Sequence, residues 1–302
     1  MDTLHTLTSA DRATIAYRCR RSASSAAGQA PLMLIHGAAS NMTRWSEFAE
    51  QTSLITSHDI LRLDLRGHGQ SLNRGPIGLE VWCDDIAAIL RREGYPRAIL
   101  VGHCLGANVA LLFAARYPQQ TAGLVLVEPM LRDALTGVLR RLRSLVVPLY
   151  MVIALIRVLN RLGIYRRHLE TLDLRVLDAE YRARLAQPGG GEALVRRYAS
   201  PWQDLKTMPS ANFLQDLLEV IRPLPLAGIA APFLALLSTG RTFVDPVATG
   251  AVLARLPRGE IHTLEAKHWI PTEQPLAMRG MIEAWVTSLG KEKEYGGSDS
   301  AV

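Results

Sequence analysis

Gly102-His103-Cys104-Leu105-Gly106 is where residue type and spacing point most directly to chemistry. It follows the apolar run Ala98-Ile-Leu-Val101 and precedes an apolar helical pattern, Ala107 to Tyr117, which Pro118 ends. A strand that turns sharply into a helix needs glycines around the bend, for backbone freedom and for close strand–helix packing. The residue at the bend is thrust out at a helix N-terminus, where unpaired N–H groups and the macrodipole favour negative charge. A cysteine in that place is an activated thiol, able to attack an electrophilic carbon as its thiolate. The other cysteines, Cys19 and Cys83, have no metal-ligand spacing to it, so neither a disulfide framework nor a zinc site is expected. With no phosphate loop, flavin or nucleotide motif either, the expectation is no cofactor and no metal.

Such a bend has to be carried by a sheet with helices packed on it, and the chain alternates accordingly. Thr3 to Thr8 and Ala13 to Arg20 read as a hairpin turned at Ser9-Ala-Asp-Arg12. Pro31 to His36, Ile60 to Leu63, Ala98 to Val101, Leu124 to Val127, Phe233 to Leu237 and Glu260 to Leu264 read as further strands. Helical patterns cover Leu79 to Arg92, the stretch after Cys104, the stretch after Asp245-Pro246, and a closing helix from Gln274. In that last helix Leu276, Met281, Ile282, Trp285, Val286 and Leu289 mark one apolar stripe. The sum is an α/β fold with a mostly parallel eight-stranded sheet flanked by helices. Residues 1–129 and 211–290 form its core, 130–210 a helical cap insertion where the alternation breaks, and 291–302 a disordered tail.

On these residues the chain resembles the α/β-hydrolase superfamily over nearly its whole length. Gly102-x-Cys104-x-Gly106 is similar to that family's nucleophile elbow, and His36-Gly37-Ala38-Ala39 to its oxyanion loop. The resemblance implies that the N–H groups of Ala38 and Leu105 form the oxyanion hole. Asp64-Leu-Arg-Gly-His68-Gly-Gln-Ser71 resembles a structural loop of the family, so His68, like the elbow's His103, is not the expected base. His268, in a His-x-x-x-x-Glu-x-Pro pattern after the last strand, takes that role, as proton acceptor from Cys104 and donor to the leaving group. The acid departs from the family pattern. Phe243 stands where the acid after the seventh strand would be, with Asp245 two residues on, in the Asp-Pro form of a helix cap. Glu128, at the end of strand 124–127, is the other candidate, since some family members take their acid there.

The net charge of +6 is concentrated. Seven arginines and no acidic residue lie between Ala134 and Leu169, around the apolar run Ser144 to Ile156. That stretch carries Pro148 and is too short for a membrane span. It is expected to form a lid with a greasy channel, its arginines turned toward an anionic membrane or an acidic carrier, and it lacks the aromatic interleaving of nucleic-acid modules. The N-terminal residues lack a signal-peptide pattern, so the expected location is cytoplasmic, with peripheral membrane association through the cap. The expected substrate is a small acyl compound, free or linked to a carrier or coenzyme A. Three classes of function follow: a hydrolase of lipophilic esters, thioesters or lactones, an acyltransferase using an alcohol, amine or thiol acceptor, and a non-catalytic ligand-binding relative.

Overall fold

The computed structural model describes residues 2–23, 29–185 and 190–295. β1 (Asp2–Thr8) and β2 (Thr14–Arg20) form the hairpin. They join β3 (Leu32–Ile35), β4 (Ile60–Leu63), β5 (Ala98–His103), β6 (Thr121–Val127), β7 (Phe233–Ser238) and β8 (Gly259–Leu264). The eight strands make one sheet in the order β1-β2-β4-β3-β5-β6-β7-β8. β2 is antiparallel to β1 and β4, and the remaining pairs are parallel. β3 to β7 are buried along their whole length, as a sheet covered on both faces requires.

The helices are α1 (Ser46–Gln51), α2 (Leu79–Glu93) and α3 (Leu105–Arg116), followed between β6 and β7 by six more. These are α4 (Gly137–Leu142), α5 (Val146–Arg161), α6 (Leu174–Leu185), α7 (Gly190–Tyr198), α8 (Pro201–Thr207) and α9 (Ser210–Val220). α10 (Pro246–Leu253), α11 (Ile270–Glu273) and α12 (Pro275–Tyr295) complete the chain. Phe48 of α1 and Ile282 and Trp285 of α12 pack on one sheet face with Leu34, Val101 and Leu236. Trp82 of α2 and Val109 and Phe113 of α3 pack on the other with Ile35, Leu100 and Leu126. Successive strand residues alternate between these two layers with the period of two that a pleated strand imposes.

α12 departs from expectation twice. Leu276 is 70% exposed and Met278 is buried in its stead. Met278, Ile282, Trp285 and Leu289 follow the helical repeat down one face, and Leu276 is rotated about 150° from it. The helix also continues through Lys291-Glu-Lys-Glu-Tyr295, expected as tail, because lysine and glutamate are good helix formers. The rest of the expected disordered tail, 296–302, lies outside the described residues.

The inserted helices run through α9 to Val220, beyond the expected boundary at residue 210. A buried charge ties them down. Arg44 places Nη1 2.6 and 2.8 Å from the two oxygens of Asp178 on α6 and 2.6 Å from Thr272 Oγ1 on α11. One guanidinium thus fastens the insertion to both the segment before α1 and the loop region after β8. Removing either charged partner alone would strand the other in the interior, at a cost of ~3–5 kcal/mol.

Candidate active site

β5 runs straight into Cys104, whose φ of 55° and ψ of −120° are unfavourable for any residue with a side chain. α3 starts at the next residue, earlier than the apolar periodicity indicated, so Cys104 is itself the N-cap. The bend has no room to spare. A Cβ on Gly102 would lie 2.3 Å from the Gly106 carbonyl oxygen, and one on Gly106 would lie 2.3 Å from that of Ile35. Cys104 N–H donates to Val127 O at 2.9 Å, which locks the bend to the end of β6. The N–H groups of Ala38 and Leu105 have no acceptor among the described residues, which leaves both available to an incoming oxygen.

His268 arrives from the loop after β8. Glu273 of α11 shapes that loop by accepting from the backbone N–H groups of Lys267, His268 and Trp269 at 2.8 to 3.1 Å. The imidazole is buried, with Nδ1 3.0 Å from Glu128 Oε2. The ring lines the same cavity as Cys104. Burial alone would lower the pKa of His268, but the hydrogen bond and charge of Cys104, and then those of Glu128, push it up to about 10.

Glu128 lies one residue beyond β6, at a φ of 52°, and its Oε1 accepts from the Ser238 backbone N–H of β7. Both carboxylate oxygens are therefore used, one on the imidazole and one on the sheet. Asp245 does not join them. It caps α10 by accepting from Val247 and Ala248 N–H at 2.9 and 3.3 Å, and it lies 3.4 Å from Arg241. Phe243 instead meets the His268 ring edge-on, with centroids 4.9 Å apart.

His103 and His68 are placed differently. His103 Nε2 contacts the backbone oxygen of His268 at 3.2 Å, and burial together with the His268 charge holds it well below the usual imidazole range. His68 pairs with Asp216 of α9 at 2.8 Å. Among the described residues no cluster of His, Cys, Asp or Glu could hold a metal ion.

A family model described as the alpha/beta hydrolase fold matches residues 30–275. The chain belongs to that family. Lipase LipV of Mycobacterium tuberculosis is 28% identical to this hydrolase over 264 residues, which span 85% of the chain and 93% of the relative. A putative esterase/lipase of Haemophilus influenzae is 29% identical, but over 97 residues, and the chain spans only 33% of that relative's length. Among solved structures, an esterase from Thermogutta terrifontis superposes with a TM-score of 0.67 at 19% identity, covering 96% of the chain and 99% of that structure. The enol-lactonase of Burkholderia xenovorans LB400 gives 0.67 at 18%, covering 94% and 100%. These two likenesses concern the fold alone.

Other residues around the candidate site carried no signal in the sequence. A cavity of about 390 Å³ opens over Cys104 and His268, and its walls include Leu139 and Leu142 of α4 and Phe213 and Leu217 of α9. Asp216 borders it and accepts from Ala39 N–H at 3.0 Å, bracing the turn beside Ala38 from a helix 177 residues away. Burial pushes the carboxyl of Asp204, also in the wall, up to about 7 against the pull of Arg197. Neither aspartate stands in a recognisable motif. Only the topology brings α8 and α9 over the strand ends.

Proposed function

We propose that this α/β hydrolase cleaves a lipophilic carboxylic ester, thioester or lactone through an acyl-Cys104 intermediate. His268 is the base and acid, and Glu128 orients it. The observation that carries this reading is the position of His268, with Nδ1 on Glu128 and its ring lining the same cavity as Cys104. A cysteine at a helix N-terminus beside an imidazole can form a thiolate–imidazolium pair, the reactive form of such a dyad. Sγ attacks the carbonyl carbon, and the oxyanion takes hydrogen bonds from the N–H groups of Ala38 and Leu105. As the carbon–heteroatom bond breaks, His268 Nε2 gives its proton to the leaving group. Water then attacks the thioester, His268 takes its proton, and the acid departs with the thiol restored. The names of the lipase and esterase/lipase relatives agree with this substrate class, and so does the apolar wall above the thiol.

Intact-mass measurement after brief incubation with a panel of esters, thioesters and lactones tests the reading. A mass increase equal to the acyl group, lost in water and absent from Cys104→Ala, is the expected result. Undiminished turnover by Cys104→Ala would overturn the mechanism. An adduct stable in water but discharged by added alcohol or amine would make the protein an acyltransferase. A chain that binds the panel but neither acylates nor turns it over would be a ligand-binding relative.

A further inference from the structure

α5 does not follow the pattern of a surface helix. Its inner stripe, centred on the buried Ile153, packs against α9. The opposite side, which in a surface helix is polar, carries Val147, Met151, Leu155, Val158 and Leu162, exposed by 69, 69, 60, 48 and 70%. Of the 17 large apolar side chains left exposed among the described residues, 11 lie between Val138 and Tyr165. Apolar surface gathered in this way marks a place of contact, unlike the same side chains scattered singly.

Charge selects the partner. Arg140 and Arg141 precede this helix, Arg161 ends it and Arg167 follows it, all four exposed and without a carboxylate partner among the described residues. No acidic residue interrupts the stretch between Asp133 and Glu170. An apolar face rimmed by arginine fits the boundary between anionic headgroups and acyl chains, where the arginines reach phosphate while the apolar side chains enter the hydrocarbon. No helix among the described residues is long and apolar enough to cross a membrane, so α5 would lie flat, about 24 Å long, in the interface. The same apolar stretch also reaches the cavity. Val138, exposed by 69%, lines the space over Cys104 together with Leu139 and Leu142.

We propose that the surface from α4 through α5 to Arg167 docks on an anionic lipid bilayer and sets the mouth of the active-site cavity against it. The docking is independent of the chemistry, and only its use, the direct entry of an acyl chain from the bilayer, rests on the acyl-enzyme reading.

Flotation of the full chain with phosphatidylcholine vesicles, with and without phosphatidylglycerol, tests the docking without reference to turnover. Partition onto the phosphatidylglycerol vesicles should exceed that onto phosphatidylcholine alone and fall as salt is raised. Replacing Arg140, Arg141 and Arg161 by Gln should lower it about a hundredfold, at about fivefold per arginine, with thermal unfolding unchanged. Met151→Glu with Leu155→Glu, on the side away from α9, should abolish partition onto both vesicle types. Equal partition onto both vesicle types, or none, overturns the proposal. Self-association abolished by Leu155→Glu, with no vesicle binding, would assign the surface to a second copy of the chain. Retention on an acidic carrier protein but not on vesicles would assign it to that partner.

Discussion

Glu128→Gln keeps the shape of the side chain while removing its charge, and its effect can be worked from the two contacts the carboxylate makes. The Ser238 N–H needs an acceptor, so the glutamine oxygen stays on β7 and its NH₂ turns toward His268 Nδ1. That nitrogen can then no longer carry hydrogen, and the imidazole is held in the tautomer that cannot accept the Cys104 proton. A hydrogen bond to a charged group is worth ~1.5–3 kcal/mol. That bond stabilises the protonated imidazole of the reactive ion pair, so its loss corresponds to a fall in kcat of ~10- to 150-fold. The wrong tautomer takes the total toward ~10²- to 10³-fold, short of the ~10⁴ of a serine triad because a thiol ionises more readily. The assay is steady-state kcat with whichever substrate acylates Cys104, alongside thermal unfolding. Asp245→Ala is the control, since it removes the cap of α10 and should cost ~1 kcal/mol of stability while leaving kcat unchanged. A larger loss of kcat in Asp245→Ala than in Glu128→Gln, in equally folded proteins, would refute this reasoning.

Two further outcomes are expected. With its pKa pushed up to about 10, His268 keeps its proton through neutral pH, so turnover that needs the imidazolium should fall as pH rises through about 10. Glu128→Gln removes one of the influences that raise it and should move that fall to lower pH. Identical pH–rate profiles for the two proteins would contradict the coupling. For acyl chain length, each methylene buried against Leu139, Leu142 and Phe213 should add ~0.8 kcal/mol, or about fourfold in kcat/KM, until the cavity ends. A flat profile across a homologous ester series would remove the apolar channel from the account.

Local order made much of the site legible. The bend at Cys104, the glycines around it and the His268 loop are short segments whose geometry is written in consecutive residues, and the strand alternation located the layers they join. The sequence left Glu128 and Asp245 both open as the acid, though one of them carried a local sign of another role. Asp245-Pro246 has the chemistry of a helix cap, and the structure puts it to that use. What could not be read depends on contacts between distant parts of the chain. The contact of Asp216 with Ala39 and the pairing of Arg44 with Asp178 join segments more than a hundred residues apart, and nothing in either segment names its partner. Leu276 failed for a subtler reason, since a helix stripe read from composition tolerates a residue that the angular repeat excludes.

In the proposed mechanism the loop from Thr239 to Val244 is relieved of proton chemistry, because Glu128 at the end of β6 meets His268 Nδ1 while Phe243 offers an aromatic surface. Orienting the imidazole and shaping the chamber are thus assigned to separate segments. Where one loop does both, a change that reshapes the chamber also disturbs the base. Here a library varied at Phe243 would sample new chamber outlines while the Glu128–His268 hydrogen bond stays in place, with Thr242 kept because its Oγ1 donates to the Lys267 carbonyl at 2.9 Å. Gly240 must be held fixed, since a Cβ there would lie 2.6 Å from the Lys267 carbonyl oxygen and displace the loop that carries His268. The arrangement makes this segment the natural place to retrain the enzyme's selectivity.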